Sequence, residues 1–176
     1  MAPPFYNWSR TAASNATADS TVNWSEGQSP SSVNDSARAM MASTAAYRDD
    51  TSGSLTTAGT STAYTLTTNQ VFSSLSALNG QELAFTMHTT SGATPTLAVD
   101  GLAAKVIRNA TGVALPTGAL LSGSVYRVKY DNVNGEFLLN NQPGVLPTSS
   151  VTTVAIAPVS SAPFPLPTAH AEVVFV

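Results

Sequence analysis

Glu26-Gly27-Gln28-Ser29-Pro30-Ser31-Ser32-Val33-Asn34-Asp35-Ser36-Ala37-Arg38-Ala39-Met40-Met41-Ala42 sets the architecture of the N-terminal part of the chain. Gly27 can bend the backbone where other residues cannot. Ser29 before Pro30 reads as an N-cap followed by the first helical position. Asp35 lies in the first turns, where negative charge suits the helix dipole. Further on, Val33, Ala37, Met40, Thr44 and Tyr47 recur at spacings of 4, 3, 4 and 3, a two-heptad seam. Ala39, Met41, Ala42, Ala45 and Ala46 widen the apolar surface around it. The pattern predicts a helix over 30–48, in a stem segment of 29–52, closed by Arg48-Asp49-Asp50-Thr51-Ser52-Gly53. A stripe this wide suits burial against several neighbours, as in a trimeric bundle. The alternative is an amphipathic helix lying on its own β domain, because two heptads fall short of a sustained coiled-coil repeat.

Ahead of the helix, residues 1–28 read as an extended polar lead with widely spaced aromatics, Phe5, Tyr6, Trp8 and Trp24. Asn7-Trp8-Ser9 and Asn23-Trp24-Ser25 form a small repeat. Each tryptophan either plugs a pocket on a partner, giving much contact area for little lost entropy, or folds back on the helix.

The lead Asn7-Trp8-Ser9-Arg10-Thr11-Ala12-Ala13-Ser14-Asn15 and the Glu26–Ala42 run together resemble the N-terminal region of bacteriophage and prophage tail fibre proteins. In that family a Trp-containing polar lead precedes a Glu-Gly-x-x-Pro-Ser-x-Val-Asn-x-Ser-Ala-Arg-Ala-Met-Met-Ala helix. The resemblance implies a virion structural protein that is a homotrimer. Residues 1–50 would attach to the tail, baseplate or an adaptor, with Val33, Ala37, Met40, Thr44 and Tyr47 as trimer seam. Phe5, Tyr6, Trp8 and Trp24 would then be the tail anchors. A host surface receptor or a second fibre protein is a further partner on this reading. The alternatives are a head decoration or neck protein of the virion, and a carbohydrate-binding module or depolymerase.

From Leu55 the pattern changes to short strands divided by turns, predicting a small antiparallel β domain over 55–141. The candidates are Ala63–Thr67, Glu82–Met87, Thr96–Val99, Lys105–Arg108, Val125–Tyr130 and Glu136–Leu139. Asp100-Gly101 is a turn dipeptide, and Asn134-Gly135 is a strong hairpin signal. Tyr126, Val128 and Tyr130, bulky and uncharged, are the expected core face of their strand. This block is similar to the small β domain that follows the helix in tail fibre proteins. Residues 142–176 hold six of the eleven prolines and read as an extended Pro-rich segment. Within it, Val151–Ile156 and Glu172–Val176 look like strands, the latter expected to pair along a sheet edge. The fold class is thus mainly β with one N-terminal α-helix.

Composition narrows the function further. Only 10% of the 176 residues are charged, whereas Ser and Thr number 45. A surface so poor in charge tends to associate. The net charge is −3 and the seven Lys and Arg are scattered, which argues against nucleic acid as a partner. With no cysteine there is neither a disulfide framework nor a thiolate metal site. No run of about 18 apolar residues predicts membrane insertion, and Met1-Ala2-Pro3-Pro4-Phe5 lacks a signal-peptide profile. Synthesis in a bacterial cytoplasm, release by lysis and residence in the virion are the expectation.

Catalytic chemistry finds few groups to use. His88 and His170 lie far apart, and no Gly-x-Ser-x-Gly elbow or triad set accompanies the many serines. Asp49-Asp50 is adjacent on a helix end and reads as a solvated stop signal rather than a metal site. Gly92, Gly101, Gly112 and Gly118 are isolated turn glycines, not a phosphate loop. The chain is read as a non-enzyme with no cofactor.

Overall fold

The computed structural model describes residues 5–16 and 18–140. The Pro-rich segment 142–176, with its two expected strands, lies outside the described residues.

The helix begins as its sequence dictates. α1 spans Pro30–Ser52, and the Ser29 side chain accepts from the Ser32 N–H with Pro30 in the first turn. It runs four residues beyond Tyr47-Arg48 and stops at Gly53, whose φ of +93° supplies the left-handed C-cap that L-residues resist. Asp49 and Asp50 therefore lie inside the helix instead of in a turn.

Eight short strands follow: β1 (Leu55–Thr56), β2 (Ala58–Gly59), β3 (Ala63–Leu66), β4 (Glu82–Thr86), β5 (Thr96–Val99), β6 (Lys105–Arg108), β7 (Val125–Asp131) and β8 (Glu136–Leu139), with a one-turn helix α2 (Leu75–Leu78) between β3 and β4. They form one sheet in the order β1-β4-β7-β8-β6-β5-β3-β2. Its two outer strands are consecutive in the chain, separated by Thr57 alone. The sheet curls until they meet, so it is nearly closed. Thr57 seals the join: its N–H donates to the Thr86 carbonyl at 3.0 Å, and its hydroxyl lies 2.9 Å from His88 Nδ1.

The expected antiparallel domain is corrected to a mixed sheet. The hairpins legible from turn residues, β5–β6 and β7–β8, are antiparallel. Where strands distant in sequence insert beside them, three pairings are parallel: β1–β4, β3–β5 and β6–β8. The β5–β6 turn uses Asp100 and Gly101 at φ of +51° and +77°, closed by Leu102 N–H to Val99 O at 2.9 Å. The Asp100 carboxylate takes hydrogen bonds from Thr68 N–H, Thr68 Oγ1 and Phe72 N–H, pinning the loop after β3 to this turn.

Inside the curl lies the apolar core, in which Tyr64, Phe72, Phe85, Tyr130 and Phe137 are the largest buried side chains. Tyr126, Val128 and Tyr130 point inward as expected, with Val125 and Lys129 exposed. Burial raises the Tyr64 and Tyr130 hydroxyls above the ordinary phenol value, as desolvation penalises the phenolate. On β4, strand alternation sends Ala84 away from Leu83 and Phe85, yet Ala84 is also fully buried. Its cover is α1, which packs across β4 from outside.

Candidate functional site

The helix meets its own chain through an unexpected face. Ser36, Ser43, Ala46 and Asp50 are its buried residues, a stripe of small and polar side chains at near-heptad spacing. Ser36 Oγ accepts from the Asn23 N–H at 2.8 Å and donates to the Asn23 carbonyl at 3.2 Å, so one hydroxyl replaces two solvent partners of the lead. Asp50, read from sequence as solvated, is fully buried. Its carboxylate accepts the backbone N–H and side-chain amide of Asn69 at 2.8 Å each, and those of Gln70 at 3.1 Å each. Four donors make burial of a carboxylate tolerable and fix the helix end on the loop after β3. The two aspartates face different ways, as their adjacency requires: Asp49 pairs with exposed Arg48 at 2.8 Å.

The expected seam residues lie on another side of the helix. Val33, Ala37, Thr44 and Tyr47 are exposed and Met40 is half-buried. Tyr47 stacks on Phe5 with centroids 4.9 Å apart. Ala37, Met40, Met41, Thr44, Ala45 and Arg48, with Trp24, line an open apolar groove of about 710 Å³. Met41 is 72% exposed, the most open large apolar side chain of the helix.

The lead is not extended. Two 3-10 turns, Phe5–Asn7 and Ala12–Asn15, and a bridge between Asp19 and Val22 fold it back beside α1. Short polar side chains bend it by bonding nearby backbone: Asn15 both accepts from Ser9 N–H and donates to Ser9 O at 2.7 Å, and Asp19 accepts from Thr21 N–H at 2.8 Å. The expected anchors are brought together only in part. Phe5 lies between Trp8 and Tyr47, while Tyr6 stacks on core residue Phe72 at 4.7 Å. Trp8 is half-buried and donates from Nε1 to Asp19 Oδ2 at 3.4 Å; Trp24 is 41% exposed. Between the two indoles lies a second cavity, of about 380 Å³, floored by Met40 and Val22 and walled by alanines of the lead. The sequence pointed to both tryptophans but not to the pocket, which lies where the Asp19 turn and the Ser36–Asn23 latch fold the lead back beside α1.

His88 is exposed and braces the sheet join, with Nε2 3.3 Å from the Gly59 carbonyl. Among the described residues, no three His, Asp or Glu side chains gather as metal ligands, and no helix is long and apolar enough to cross a membrane. Comparison with models of known protein families and with curated proteins gives no match to this chain.

Proposed function

We propose that this chain is a non-enzymatic structural protein of a phage virion, a tail fibre or fibre adaptor that works as a homotrimer. Residues 1–50 attach to the tail or baseplate, with the curled sheet packed against α1 as their support. The observation that supports the reading is the open apolar face of α1. A 23-residue helix ties itself to its own chain through Ser36, Ser43, Ala46 and Asp50 and leaves Val33, Ala37, Met41 and Thr44 in solvent. Burying one methionine is worth about 1.5–3 kcal/mol, so three copies of this face supply a real driving force for assembly. Phe5, Trp8 and Trp24 lie beside the same helix and are suited to gripping a tail protein. Assembly in the bacterial cytoplasm and residence in the virion follow from this role.

The test has two parts. Light scattering on the purified full chain should give three times 18.1 kDa, and antibody against it should label the tails of intact particles. A single 18.1 kDa species that labels no particle would overturn the proposal; label on heads would replace it with a decoration or neck role.

A further inference from the structure

We propose that the cavity between Trp8 and Trp24 is a binding site for a small quaternary-ammonium cation. This goes beyond the structural role and does not depend on it.

The cavity's size, about 380 Å³, falls at the small end of ligand pockets. Two indoles line it, the aromatic ring type that best holds a cation against its face. Asp19 is the one charged side chain among the described residues that line it. Its carboxylate is also without a cation of its own: the ion pairs of the described residues join Arg38 to Asp35, Arg48 to Asp49, Arg108 to Glu136 and Arg127 to Glu82. One oxygen, Oδ1, is held by Thr21 N–H and Oγ1. The other, Oδ2, has among the described residues the 3.4 Å contact with Trp8 Nε1, long for a hydrogen bond to a carboxylate. Among the described residues, the cavity therefore carries a negative charge with no paired cation, beside two indoles.

The same residues argue against a sugar. Hydroxyls need partners once desolvated, and the side chain of Asn15, the other polar group in the lining, is spent on both Ser9 backbone groups. Among the described residues, the remaining wall is Ala, Val and Met. Methylated nitrogen suits such a wall, since it presents apolar methyls outward and still carries full charge.

The chain's two tryptophans both line this cavity, so their emission reports on its occupancy, and Trp24 also borders the α1 groove. The experiment titrates the full chain with choline chloride, with 3,3-dimethylbutan-1-ol as neutral isostere, with N-acetyl-lysine amide, and with sodium chloride at matched ionic strength. Choline should shift the emission saturably, about tenfold more tightly than the neutral isostere. Asp19→Asn should cost choline about tenfold and leave the isostere unchanged. Trp24→Leu, at a 41% exposed position, should weaken choline equally with a far-UV spectrum like that of wild type. Equal response to choline and its isostere, or choline affinity untouched by Trp24→Leu, would overturn the proposal. Tighter binding of the lysine amide would do so too, by making the cavity a socket for a protein side chain.

Discussion

Asp50 Oδ1 receives both the backbone N–H and the side-chain amide of Asn69, each at 2.8 Å, so one helix residue grips the loop after β3 by backbone and side chain together. Gln70 repeats the arrangement on Oδ2. Asp50→Ala would strand the backbone N–H and side-chain amide of buried Gln70 and release those of the more exposed Asn69. Leaving a buried hydrogen-bonding group unpaired costs about 1–3 kcal/mol, so the variant should lose roughly 3 kcal/mol in urea unfolding. Asp49→Ala, which removes only an exposed pair with Arg48, should stay within about 0.5 kcal/mol of wild type.

Ser36 is the corresponding tie at the other end of the helix. Ser36→Ala keeps helix propensity and shape but leaves Asn23 N–H and O without their partner. The expected loss is about 1–2 kcal/mol. Amide exchange around residues 22–24 should rise more than exchange within the sheet, because only the lead is released.

How much of this was legible follows from what each element advertises. The N-cap at Ser29, the turn at Asp100-Gly101 and the alternation of Tyr126, Val128 and Tyr130 are local signals, and each stands in the structure as read. Strand pairing is not local: the parallel β3–β5 and β6–β8 neighbours are set by long connections that no dipeptide encodes. The helix has two faces, and its sequence advertised only one of them. Its apolar stripe drew the periodicity to Val33, Met40 and Tyr47, whereas its own-chain face is Ser36, Ser43 and Asp50, polar groups satisfied by partners far along the chain. Three polar residues seven apart were the available signal. Likewise the lead's Ser, Asn and Asp residues were read as polarity, when their side chains bend the backbone that makes the tryptophan pocket.

Two glycines separate conformational strain from steric overlap. Gly101 has φ of +77° and open space around a would-be Cβ, so Gly101→Ala should cost only about 1 kcal/mol. Gly59 has φ of +94°, and there a Cβ would overlap the Ala63 carbonyl at the β2–β3 pairing. Gly59→Ala should cost about 3 kcal/mol or more and open the sheet join. His88, whose Nε2 meets the Gly59 carbonyl, reports this opening as a shift of its imidazole resonances.

Acid should weaken one turn in a defined direction. Asp131 is held below the ordinary carboxylate range by the Asn134 side-chain amide, then by Val133 N–H, with Lys129 adding a smaller attraction. A depressed folded pKa contributes stability that is present above the unfolded value, about 3.9, and is lost as pH falls through the folded value. The wild type should therefore melt above Asp131→Asn at neutral pH, and the gap should close progressively below about pH 4. A gap independent of pH would assign the Asp131 contribution to hydrogen-bond shape rather than charge.

The open face of α1 carries the prediction that bears most on assembly. Met40 lines the cavity with Trp8, Val22 and Trp24, so Met40→Glu would damage the protomer itself and could not isolate an effect between copies. Met41, 72% exposed, touches the groove alone and can be changed without cost inside one chain. In a trimer, Met41→Glu would bring three carboxylates near a common axis, where like charges oppose burial. The expected outcome is a monomer by light scattering with a far-UV spectrum like that of wild type. Met41→Leu, which keeps apolar volume, should remain trimeric. Wild type should also show a melting temperature that rises with protein concentration, and Met41→Glu should not, since association stabilises the folded chain by mass action. A trimer that tolerates Met41→Glu would move the contact to Val33 and the rim at Tyr47, where Phe5 already packs.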